Sequence, residues 1–116
     1  MSALPKNESG ETIYDFLDVF RQRPGMYLGA PELVRLYSFL AGYELALAQQ
    51  GLAFRASSPN FGSFRDWIAV RLRDDGSTAG WYDMIRTHSA SEREALVRFY
   101  ELLEEFKACG GVVAAS

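Results

Sequence analysis

Cysteine and histidine are scarce in this chain: Cys109 and His88 are the only two residues of these types. A lone cysteine excludes an intramolecular disulfide, and its reduced thiol points to the cytoplasm. One His and one Cys cannot make the usual zinc set. Their spacing also gives no third group to orient a nucleophile and its base, so His88 reads as a surface residue and Cys109 as half-buried. No run approaches the roughly 18 apolar residues of a membrane span, and MSALPKNESGE lacks the apolar stretch of a signal peptide. Positive charge is in short supply too, with 12 Lys and Arg against 15 Asp and Glu. The positive field behind most nucleic-acid affinity is therefore missing, whereas a basic protein partner is favoured by complementarity.

What is present is a core. Hydrophobic residues make up 48% of 116 residues and charged residues 23%, enough for one packed domain that needs no metal or disulfide to fold. Residues 1–10 are polar and read as a flexible leader, 11–110 as a single helical domain and 111–116 as a frayed tail. Thr12 with Asp15 is a capping-box variant, and Ile13, Phe16, Leu17 and Phe20 follow on one helical face. That helix must stop near Arg23, because Pro24 disfavours the α conformation before it. Pro31 and Glu32 start a second helix with Leu33, Leu36, Tyr37, Leu40, Tyr43 and Leu47 inward, and Gly51 stops it.

Residues 52–62 form a loop. Ser63 with Asp66 is the expected cap of the next segment. Over 64–73 the pattern is divided, since Val70-Arg71-Leu72-Arg73 alternates as a strand does, but Phe64, Trp67, Ile68 and Leu72 fit a helix, which is the preferred reading. Ser77 caps a short helix with Trp81, Met84 and Ile85 inward. Ser91 with Glu94 forms a capping box for the last helix, whose inner face is Ala95, Leu96, Phe99, Leu102, Leu103 and Phe106; Gly110 and Gly111 end it. The expected fold is an all-α, single-domain bundle of about five helices, with Trp67 and Trp81 in its core.

RPGMYLG, residues 23–29, joins the first two helices. Pro24 stops one, Gly25 and Gly29 permit unusual backbone angles, and Met26, Tyr27 and Leu28 can tuck beneath the turn. The same letters resemble the N-terminal stretch of gyrase-type GHKL ATPases. That resemblance would make Glu44 a general base and Asp75 an adenine-reading acid. Ala48, however, stands where the family places its magnesium-binding asparagine, and DDGSTAG lacks the family's continuation. RPGMYLG is thus read as a bend whose geometry is shared.

A second resemblance covers nearly the full length. RPGMYLG, FGSFRDWIAVRL, STAGWYDMI and EREALVRFYELLEEFK, in that order, resemble a family of small bacterial helical proteins that look like immunity proteins encoded beside antibacterial toxins. The resemblance implies a non-enzymatic, cytoplasmic protein whose partner is a cognate toxin, a basic nuclease being one that its charge would suit. Asp74, Asp75, Asp83, Glu92, Glu101, Glu104 and Glu105 are the candidate partner-binding residues, as an acidic surface imitating a phosphate backbone. No metal, cofactor, nucleic acid or membrane is expected. The alternatives are a nucleotide-binding remnant of a GHKL ATPase and a purely structural helical subunit.

Overall fold

Thr12 opens the first helix as its spacing to Asp15 predicts. Its Oγ1 accepts from the Asp15 N–H at 3.2 Å, and Asp15 Oδ2 accepts from the Thr12 N–H at 3.0 Å, satisfying two donors that a helix start leaves free. In the computed structural model, which describes residues 7–8, 10–74 and 78–112, α1 spans Ile13–Gln22, α2 Pro24–Leu28 and α3 Leu33–Gln49. After them come α4 (Phe64–Arg71), α5 (Trp81–Thr87) and α6 (Glu92–Ala108). The expected all-α bundle forms, with five longer helices and one short one inside RPGMYLG. Two residues of the N-terminal segment, β1 (Asn7–Glu8), pair in parallel with β2 (Leu52–Ala53).

Several local expectations change. Pro24–Leu28 is itself helical, and a helix this short buries one face only, because successive side chains point about 100° apart. Leu28 takes the buried position, while Met26 and Tyr27 stay exposed instead of tucking beneath the turn. α3 starts at Leu33, two residues after Pro31, with Glu32 extended at its N-cap. Ser63 makes no side-chain cap; Asn60 accepts from the Gly62 N–H at 2.8 Å and starts a 3-10 turn, Phe61–Ser63, that leads into α4. Segment 64–71 is helical, and Val70, which fed the strand-like alternation, is exposed. The proposed Ser77 cap lies outside the described residues.

The core is aromatic at its centre. Phe64, fully buried, meets Phe61, Trp67, Trp81, Phe99 and Phe106 at centroid distances of 5.1 to 6.2 Å, within the range where ring edges and faces attract. Around it, Leu17 from α1, Leu33 and Leu36 from α3, Ile68 from α4, and Met84 and Ile85 from α5 are fully buried. At roughly 1.5–3 kcal/mol for each large apolar side chain, this burial is the main force holding the helices together. α6 runs through the middle, packed against α3, α4 and α5.

Candidate partner-binding surface

The α6 sequence divides cleanly by helical periodicity. Ala95, Leu96, Phe99, Leu102, Leu103 and Phe106 are buried as expected, and Glu94, Val97, Glu101, Glu104 and Glu105 form an outward stripe. Neighbouring helices supply cations to part of it. Glu104 Oε1 accepts from Arg21 Nη1 at 2.9 Å, with Lys107 Nζ 3.7 Å away. Glu105 holds Arg71 by two bonds, Nε to Oε1 at 2.7 Å and Nη2 to Oε2 at 3.2 Å. These carboxylates are already neutralised in part, and each ties α6 to another helix.

The rest of the acidic set is dispersed. Glu92 faces inward at the junction of α3, α5 and α6, where it accepts from the Val34 N–H at 2.9 Å, from Arg86 Nε at 3.2 Å and from the Tyr82 hydroxyl. Desolvation opposes its ionisation, but the Tyr82, Val34 and Arg86 contacts outweigh it and hold its pKa below the usual value. Burial, and then the Glu92 carboxylate, push the Tyr82 phenol up to about 12. Asp74 lies 3.8 Å from His88 Nε2. Asp83 is exposed on α5, and Asp75 lies outside the described residues. Of the seven, Glu101, Glu104 and Glu105 share one face.

Beside that face lies a feature sequence reading missed. Arg21, Pro24, Leu96, Val97, Tyr100 and Glu101 line a groove of about 230 Å³ between α6 and the α1–α2 junction. Its Tyr100 donates to the Leu17 carbonyl at 2.7 Å, and burial raises that phenol's pKa. The hydroxyl is thus spent inside the fold, leaving ring surface to the groove. Arg21 stands 5.3 Å from the Tyr100 ring centroid. Val97 is 61% exposed, and Glu101, four residues on and so on the same face, has no ion-pair partner among the described residues. Of its lining residues, the sequence pointed to Glu101 by charge and to Leu96 by helical phase, but nothing in it joined them to Arg21 and Pro24.

Glu44 occupies a different place. It lines a cleft of about 300 Å³ with Ile13, Phe54, Arg55, Asn60 and Phe61, and desolvation raises its pKa. The elements around it are α1, the 3-10 turn and a loop, and in an adjoining cleft Glu44 also meets Leu52 and Ala53 of the two-residue strand β2. His88 precedes α6 and Cys109 follows it, at opposite ends of a helix of 17 residues and so about 26 Å long. Cys109 is exposed. Among the described residues no group of three His, Cys, Asp or Glu side chains is placed to hold a metal ion, and no helix is long and apolar enough to cross a membrane. Comparison with protein-family models, curated proteins and solved structures found nothing that matches this chain.

Proposed function

We propose that this is a non-enzymatic binding protein of the immunity class, which neutralises a cognate protein toxin by covering its active site with the outer face of α6. The observation that carries the reading is the juxtaposition of Val97 and Glu101 at the groove. An exposed apolar residue beside an unpaired carboxylate, above a pocket floored by an aromatic ring, has the apolar centre and polar rim of a protein interface. Such a site takes one apolar side chain and an adjacent Lys or Arg of the partner. Glu104 and Glu105, held by Arg21 and Arg71, then form a rim that adds steering rather than desolvated pairs.

The test uses the product of the neighbouring coding sequence, produced together with this chain. A stable one-to-one complex is expected. Glu101→Lys and Val97→Asp should each weaken it at least about tenfold, since truncating a buried charge pair or anchor typically costs roughly 2 kcal/mol or more. Both residues are exposed, so the fold tolerates either change. Loss of neutralisation without loss of helicity would support the reading, while absence of any complex would defeat it.

A nucleotide-binding remnant has one observation behind it, the position of Glu44 in its cleft with a raised pKa. Titration with ATP and Mg²⁺ distinguishes the readings: saturable heat abolished by Glu44→Ala favours the nucleotide.

A further inference from the structure

The chain carries a second unpartnered surface, on α3 and α2, that the proposed function does not use. From Leu36 to Gln49 the only charged residue of α3 is Glu44. A helix apolar nearly all round is ordinarily buried on every side, yet Val34, Phe39 and Leu45 are among the exposed large side chains of this protein, Leu45 at 61%. The surface continues onto the RPGMYLG helix. Tyr27 is shared by two adjoining grooves, one of about 420 Å³ with Val34, Ser38, Phe39 and Arg35, whose charge is met by Glu32, the other of about 360 Å³ with Asp18, Val19, Gln22 and Arg23. Met26 stands beside them, 68% exposed.

We infer that this face is a homodimer interface in which α2 and α3 pack against the same elements of a second copy. Area is the first argument. The exposed parts of Val19, Met26, Tyr27, Val34, Phe39 and Leu45 amount to on the order of 600 Å², the upper end of what a monomer displays and most of the roughly 800 Å² each partner buries in a standard interface.

Charge is the second. A two-fold interface brings a patch against itself, so it must be self-complementary. Asp18 and Arg23 line the same groove with opposite signs, and neither has an ion-pair partner among the described residues. Across a two-fold axis the Asp18 of each copy can meet the Arg23 of the other.

Gly42 is the third. It lies mid-helix, where glycine costs about 1 kcal/mol relative to alanine. A Cβ built there meets nothing within 4 Å, so no packing inside the protomer accounts for the glycine. Close approach of a second helix would.

Sedimentation or light scattering on the full chain, from about 1 to 100 µM, should give twice the 13.0 kDa chain mass at the upper end. Gly42→Leu and Leu45→Arg, both at open positions, should each weaken association at least about tenfold with unchanged far-UV circular dichroism. Asp18→Lys and Arg23→Glu should each weaken it as well, and the double swap should restore it. A monomer throughout this range overturns the inference and leaves the face to a different protein. A dimer indifferent to Gly42→Leu and Leu45→Arg places the interface elsewhere and overturns it too. So does a double swap that associates no better than the single variants.

Discussion

Glu92 shows how far an acidic residue's role can depart from its appearance in the sequence. In the chain it belongs to a run of exposed-looking carboxylates. In the fold it receives donors from Val34 and Tyr82 as well as from Arg86, which joins α3, α5 and α6. Those donors lie 58, 10 and 6 residues away, distances over which no local pattern could have shown the contact. Hydrogen bonds to a charged group are worth roughly 1.5–3 kcal/mol each when buried, and leaving donors unpaired adds to the loss. Glu92→Ala is therefore expected to cost about 2–3 kcal/mol at neutral pH by urea unfolding. Because the folded-state pKa is depressed, this stabilisation is present above the unfolded-state value of about 4.3 and is lost as pH falls through the folded-state value. The gap between wild type and Glu92→Ala should accordingly shrink on acidification below about pH 4. A gap independent of pH would show that the carboxylate's charge contributes nothing.

At the level of elements, the sequence was most legible where chemistry is local. The Thr12–Asp15 capping box and the stop at Gly51 follow from neighbours within four residues and are present, and of the Ser91–Glu94 box the Ser91 side chain accepts from the Glu94 N–H without the reciprocal bond. Thr12→Ala should lower stability by about 1 kcal/mol, measured by chemical denaturation. The end of α6 was legible in kind but not in cause. Gly111 has φ +81°, and a Cβ there would lie 3.1 Å from Pro59 Cβ and 3.3 Å from the Phe106 ring. Gly111→Ala should destabilise by more than about 1 kcal/mol, from backbone strain and from crowding of the 59–61 loop against α6. Equality with wild type in thermal unfolding would refute that. RPGMYLG was misread in one respect: a five-residue helical turn has one buried face, so Leu28 enters the core and Met26 and Tyr27 remain outside. The letters gave its location, and only its helical phase gave the exposed surface.

The whole molecule has two sides with different characters. One is the α6 stripe, where Arg21 and Arg71 tether Glu104 and Glu105 and where Val97 and Glu101 flank a groove. The other is the outer face of α3 with the α2 helix, on which Arg35 and Glu44 are the two charged residues of α3. An all-α bundle with an aromatic core could be read from composition and periodicity, because burial and helical phase are properties of single segments. The candidate site could be read only in part. Glu101, Glu104 and Glu105 lie on the exposed side of one helix, whereas Asp74, Asp83 and Glu92 were grouped with them by charge alone: Asp74 pairs with His88, Asp83 is on α5, and Glu92 turns in to Tyr82. The groove needs Pro24 and Arg21 from one end of the chain against Leu96 and Tyr100 from the other, which no single segment contains.

The decisive measurement is the dissociation constant of the complex with the neighbouring gene product, determined by calorimetry for the wild-type chain and for Glu101→Lys, with circular dichroism to establish equal folding. Occlusion by α6 predicts a one-to-one complex weakened at least about tenfold by this exposed charge reversal. An unchanged constant, or no complex at all, would contradict it.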